Sequence, residues 1–190
     1  MIILLITHAQ TGLSVAFIGV IIAALTLITA RRHAWHLLRR VDWRTLLFFF
    51  GLFITVGGLE ETGALKALAD SIGEMSGGSP TIVVTIILWV SAFLSAIVDN
   101  IPFAATMVPV IGSLAQTQGI SLQTLAWTLA LGTDIGGNAT PIGASANVVG
   151  TAIAEREGYH IGWGRFMKAA LPGMIIVVAL CQVLLMLRYL

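Results

Sequence analysis

Residues 122–154 form one apolar run that is interrupted at its centre by Asp134-Ile135-Gly136-Gly137-Asn138-Ala139-Thr140-Pro141-Ile142-Gly143-Ala144-Ser145-Ala146-Asn147. Three glycines and a proline in so short a span break a helix in water. In a bilayer, irregular backbone survives only where it is packed in protein or lines a wet cavity. The stretch therefore reads as one discontinuous helix, a half-length piece Leu122–Thr133 and a second piece Val148–Ala154 around an unwound centre. Lipid as the solvent agrees with composition: 57% of the 190 residues are hydrophobic and 10% charged, against about 25% charged in a soluble domain. A net charge of +1 leaves no basic excess for nucleic acid.

A spanning helix needs about 20 mostly apolar residues. Runs of that kind lie at 12–30, ending at Arg31-Arg32; at 44–61, a Phe- and Leu-rich run closed by Glu60-Glu61; and at 169–187, up to Arg188. Pro172 is expected in the first turn of the last run, where its missing N–H is not needed. Ser79-Pro80 opens a further apolar stretch to Val98, which stops at Asp99-Asn100-Ile101-Pro102 and resumes from Phe103 to Ala115. Residues 80–115 read as a helical hairpin with a polar tip. Its second arm, about 20 Å at the helical rise, is too short to cross the hydrocarbon upright. That favours a re-entrant hairpin, although helix parity also accommodates two full crossings.

Basic residues set the orientation. Arg31, Arg32, Arg39, Arg40 and Arg44 cluster in one connection, and Arg156, Arg165 and Lys168 in another, whereas Lys66 stands alone among acids after Glu60. The positive-inside rule assigns the first two connections to the cytoplasm. Trp35 and Trp43 beside the arginines suit an interfacial segment touching anionic lipid, and Tyr159 and Trp163 suit headgroup anchors. His8, His33, His36 and His160 lack metal-ligand spacing. Cys181, the single cysteine, lies in an apolar run and forms neither a disulfide framework nor a metal site. Met1–Ile6 is apolar but too short to span, no basic n-region precedes it, and no internal repeat is visible.

The hairpin tip and the unwound centre are the places for chemistry, because free N–H and C=O groups at interrupted helices can replace an ion's hydration. Asn100 is expected to cap the short arm, with the Asp99 carboxylate beside it. Asn138, Thr140, Ser145 and Asn147 offer neutral donors and acceptors, Asp134 a carboxylate, and Gly136, Gly137 and Gly143 let the backbone approach a ligand. Ser145 is also expected to cap the second half-helix. The plainer reading makes Asp99-Asn100 an interfacial cap and lets Asp134 face a wet crevice; yet a glycine-rich polar break in an apolar helix is hard to explain by packing alone. Gly132-Thr133-Asp134 lacks the glycine-x-glycine-aspartate order of intramembrane aspartyl proteases, so an enzyme is not expected.

Three segments carry a resemblance: Leu46-Leu47-Phe48-Phe49-Phe50-Gly51-Leu52-Phe53 with Val56-Gly57-Gly58-Leu59-Glu60-Glu61-Thr62-Gly63, the tip Ser95–Phe103, and Gly136–Val149. Together they resemble the C-terminal half of the ion transporter superfamily, in the group of arsenite permeases, NhaD-type sodium/proton antiporters and P-protein permeases, with citrate transporters as relatives. The resemblance covers essentially the whole chain. It implies an all-α polytopic membrane fold, one repeat of an inverted-repeat elevator-type carrier with a re-entrant hairpin and a broken helix, commonly dimeric. Carried over residue by residue, the tip motif falls on Asp99 and Asn100 and the broken-helix motif on Asn138, Thr140, Ser145 and Asn147.

The expected function is secondary active transport as part of an anion or oxyanion permease of arsenite or citrate type, with sodium/proton antiport as the alternative and sodium or a proton as coupling ion. Neutral amides and a helix N-terminus suit an anion, whereas Asp99 and Asp134 suit a cation. A reading of another class is a non-transporting membrane subunit, or an intramembrane hydrolase whose two aspartates share a proton. The expected partners are the bilayer, a small ion, a second copy of the full carrier, and an N-terminal repeat from the same or a separate chain. The expected location is a bacterial inner membrane. Because the charge bias disfavours dual insertion, the 190 residues are not expected to transport alone.

Overall fold

The computed structural model describes residue 12, residues 14–41 and residues 43–190, and the regular elements among them are all helices, without strands. The apolar stub Met1–Ile6 and most of the turn expected after it lie outside the described residues. The chain falls into a smaller compact unit ending at Phe48 and a larger one, Phe49–Leu190.

In the smaller unit, α1 (Val15–Ala30) starts at Ser14, whose hydroxyl caps it by accepting from the Phe17 N–H at 3.2 Å. Thr26 and Thr29 return their hydroxyl protons to the carbonyls of Ile22 and Leu25 at 2.7 and 2.8 Å. Their polar groups are thus satisfied within the helix. A short 3-10 turn, Arg31–His33, leads into α2 (Ala34–Arg40), where Arg39 lies over the Trp35 ring at 5.3 Å.

Helix α3 (Trp43–Glu61) contains the division at Phe48 and is followed in sequence by α4 (Ala64–Met75), α5 (Pro80–Ser95), α6 (Asn100–Gln118), α7 (Leu122–Gly136), α8 (Ser145–Arg156) and α9 (Trp163–Tyr189). The larger unit is built around α7, which packs against α5, α6 and α9, while α4 packs on α6. Its buried residues include Val83, Val84, Ile87 and Leu88 of α5, Val110 and Leu114 of α6, Leu125 and Leu129 of α7, and Met174 and Val178 of α9.

Several boundaries differ from the sequence expectation. Helix α7 runs on to Gly136 instead of ending at Thr133, and α8 starts at Ser145 instead of Val148, so the unwound centre is shorter than expected. The second hairpin arm is not short: α6 has 19 residues against 16 in α5, about 28 Å at 1.5 Å per residue, so arm length gives no support for re-entrance. Pro102 lies in its first turn, where no N–H is needed, and the helix continues through Pro109. Helix α9 begins six residues before 169, so Pro172 lies inside the helix rather than in its first turn. The connection after Glu61 contains α4, an amphipathic helix that buries Leu65, Ala69, Ile72 and Gly73; its mixed charges hid an apolar face.

Among the described residues, α9 is the helix long and apolar enough to cross a membrane by itself, and α3 and α4 pass the same test as a pair bent by 65°. Only 17% of the apolar window of α9 is buried, and Leu180, Leu184 and Leu187 project outward. The inward side carries one polar clasp. The Trp89 indole donates to Gln182 Oε1 at 2.6 Å and Gln182 Nε2 donates to Thr85 Oγ1 at 3.1 Å, tying α5 to α9. Gln182→Leu removes both bonds, and we expect it to lower stability by about 0.6–2 kcal/mol, the range of interhelical hydrogen bonds in membranes. The thermal midpoint in detergent reads this directly.

Candidate functional site

The hairpin tip and the helix break meet. Helix α5 ends at Ser95, whose hydroxyl donates to the Thr133 carbonyl of α7 at 2.7 Å. Two turns of close helix contact bring it there. A Cβ on Gly132 would stand 2.7 Å from the Leu88 carbonyl oxygen, and one on Gly136 would stand 2.2 Å from that of Ala92 and 2.4 Å from its Cα. Glycine at these positions is what lets the α5 and α7 backbones approach so closely.

At the tip, Asp99 is the N-cap of α6 and accepts from the Ile101 N–H at 3.4 Å. The capping expected of Asn100 is therefore performed by Asp99, one residue earlier. Its other carboxylate oxygen accepts from the Ser145 hydroxyl at 2.8 Å, joining the start of α6 to the start of α8. Asn100 instead donates from Nδ2 to Asp134 Oδ1 at 3.1 Å, joining the start of α6 to the end of α7. Each aspartate thus bonds to a different neutral side chain across the tip–break contact. Among the described residues, no Lys, Arg or His forms an ion pair with Asp99 or Asp134; the one ion pair there is His160–Glu155, on exposed side chains.

The break is held by its own side chains. After α7 comes a 3-10 turn, Gly137–Ala139, then irregular backbone through Ala144. Asn147 Nδ2 donates to the carbonyls of Gly137 and Thr140, both at 3.0 Å, so one amide spans the interruption. The Thr140 hydroxyl donates to the Ala96 carbonyl and accepts from the Gly143 N–H at 3.0 Å. Gly143 faces Gly137, where either Cβ would meet the other residue's carbonyl oxygen below 3.0 Å. Asn138 bonds back to the Asp134 and Ile135 carbonyls at 3.0 and 3.3 Å and stays exposed.

Ser145 does not cap α8. The N-cap is Ala144, without a side-chain bond, and the Ser145 hydroxyl reaches across to Asp99 instead. The chain thus brings all ten sequence-derived candidates to one region, of which Asp134, Asn138 and Ser145 are exposed, Asp99, Asn100 and Asn147 half-buried, and Thr140 and the three glycines buried. Ser95, Ala96 and Thr133 belong to the same contact and were not singled out, since their part is played by backbone carbonyls and a hydroxyl that leave no sequence motif.

The geometry joins a hairpin tip to an interrupted helix through neutral polar groups and two carboxylates that have no cationic partner among the described residues. Comparison with known proteins gives this arrangement its context. The citrate transporter family model matches residues 1–132. An uncharacterized transporter of Mycobacterium tuberculosis is 41% identical over 186 residues, which cover 97% of this chain and 42% of that protein. The 46 kDa membrane protein of Mycobacterium leprae is 38% identical over 97% of this chain and 44% of its own length. The P protein of Homo sapiens is 35% identical over 90% of this chain and 22% of its own. The chain therefore spans less than half the length of these relatives, and they are similar to it across both the hairpin and the break. On these matches, the chain belongs to the citrate transporter family, a family of membrane transporters.

Proposed function

We propose that the chain forms part of a secondary active transporter and supplies one half of its ion site, with a small anion or oxyanion of citrate or arsenite type as substrate. The observation that carries this reading is the hydrogen-bonded meeting of the tip and the break through Ser145–Asp99 and Asn100–Asp134. Helices α6 and α8 both begin there, and helix N-termini favour negative charge through unpaired N–H groups. Sodium or a proton acts as coupling ion at the carboxylates.

The topology in this reading is an inverted-repeat, elevator-type carrier. Helices α7 and α8 have 15 and 12 residues, about 22 and 18 Å long, so a crossing made of both carries its break near mid-depth. A hairpin whose tip touches that break enters and leaves on one face, which is re-entrance argued from contact rather than arm length. An N-terminal repeat, from the same or a separate chain, brings the second hairpin and broken helix, and two full carriers pair in a bacterial inner membrane.

Sodium/proton antiport is the second reading, favoured by the absence of any cationic side chain paired with Asp99 or Asp134 among the described residues. Flux of radiolabelled citrate and arsenite into proteoliposomes holding the complete carrier separates the two. Anion uptake accelerated by an inward sodium or pH gradient is the expected result. Sodium/proton exchange without anion movement favours the second reading, and no response to either gradient removes both.

A further inference from the structure

We infer that Thr140 is a positioning residue, a hydroxyl pin that sets the spacing between the hairpin tip and the helix break, rather than a ligand of the transported ion. The inference deepens the transport-site reading above. A threonine in an unwound helix invites assignment as an ion ligand, but this one is buried, at 7% exposure, and both its hydrogen-bonding directions are engaged. Its proton goes to the carbonyl of Ala96, the C-cap of α5, and its oxygen receives the Gly143 N–H. These are two main-chain groups from two elements, one at the end of a helix and one in irregular backbone. The Ala96 carbonyl lies past its helix, and the Gly143 N–H has besides the hydroxyl only a longer 3.4 Å bond to the Thr140 carbonyl, so the hydroxyl is the group that joins the two, and buried polar groups of this kind demand pairing.

The consequence falls on other residues. Ala96 lies three positions before Asp99, and Gly143 two before Ser145. The pin therefore fixes the two short segments that carry the Asp99–Ser145 hydrogen bond. Asn147 works beside it within the break, where its amide holds the carbonyls of Gly137 and Thr140 itself. With Thr140 turned inward and the half-buried Asn147 amide holding the break, the groups left to face an ion are Asp99, Asn100, Asp134, Asn138 and Ser145.

A paired-cysteine reporter tests this without any transported ion. In a Cys181→Ser background, Asp99→Cys with Ser145→Cys reads the tip–break spacing through the rate of oxidative cross-linking in native membranes of the complete carrier. Thr85→Cys with Gln182→Cys, bridged by a short bifunctional thiol reagent, reads the α5–α9 contact away from the tip. Thr140→Val keeps the side-chain shape and deletes the hydroxyl; Thr140→Ser keeps the hydroxyl. The expected result is cross-linking at 99/145 at least tenfold slower in Thr140→Val, within twofold of the parent in Thr140→Ser, and unchanged bridging at 85/182 in both. An unchanged 99/145 rate in Thr140→Val overturns the inference, as does a parallel loss at both pairs, which marks a general packing defect. Because the rates report spacing alone, a carrier that cross-links as expected but moves no ion contradicts the transport reading and leaves the pin standing.

Discussion

Gly136→Ala is expected to separate the hairpin from α7 and to leave little folded protein in detergent. The added methyl would sit 2.2 Å from the Ala92 carbonyl oxygen and 2.4 Å from the Ala92 Cα, and both are backbone atoms that no rotamer change can move aside. Overpacking of a close interface costs about 1–3 kcal/mol and sometimes more, and a backbone obstacle belongs at the upper end. The displacement would also act on function, because Asp134 lies two residues before Gly136 and holds Asn100 across the same contact. Gly150→Ala is the matched control. Its Cβ would point into open space within α8, so it should be neutral or gain about 1 kcal/mol from helix propensity. Size-exclusion profiles and thermal midpoints of the two variants should diverge sharply; similar profiles would contradict the close approach of α5 and α7.

The second large effect is expected at Asp99, and here charge and geometry can be separated. Asparagine caps helices as well as aspartate does, and its side-chain oxygen can still accept a hydrogen bond. Asp99→Asn should therefore keep the cap of α6 and much of the fold while removing the negative charge. Hydrogen bonds to charged groups contribute about 1.5–3 kcal/mol, which corresponds to roughly a 10–100-fold fall in cation-coupled flux at about 1.4 kcal/mol per factor of ten. The cation dependence of the remaining flux should flatten. Asp99→Ala adds the loss of the cap, about 1 kcal/mol, and should lower the thermal midpoint where Asp99→Asn does not. Equal destabilisation by the two variants would indicate that Asp99 acts only through its charge on the fold.

These effects show what one sequence can and cannot reveal about such a site. The interruption of the helix is legible because Gly137, Pro141 and Gly143 are local breakers, and α5 is legible because Ser79-Pro80 marks its start. The residues that could bear chemistry are legible as well, since polar side chains are scarce in an apolar chain. Their partners are not. Asp99 and Ser145 are 46 positions apart and Asn100 and Asp134 are 34 apart, and no local pattern encodes which of two adjacent polar residues turns back to cap and which turns across. Asp99 takes the cap expected of Asn100 while its other oxygen reaches Ser145, Asn100 turns across to Asp134, and Ser145 reaches the hairpin instead of its own helix. The length of α6 was hidden at its ends, because Asn100-Ile101-Pro102 reads as the hairpin turn and the polar Gln116-Thr117-Gln118 as a loop, although the helix includes both. Helix α4 was hidden because an amphipathic helix next to an apolar run looks like a charged loop.

The transported or coupling ion is expected to reside at the tip–break contact, and in a Cys181→Ser background its protection of single introduced cysteines reads this. Asn138→Cys and Ser145→Cys place thiols at exposed positions of the contact, and Tyr159→Cys places one at an exposed position outside it. At an ion concentration ten times its dissociation constant the site is free about a tenth of the time by mass action, so modification by a thiol reagent should slow about tenfold. That slowing is expected at 138 and 145 and none at 159, with citrate, arsenite or sodium as the added ion. Unprotected cysteines at both 138 and 145, in a carrier that is transporting the same ion, would contradict it.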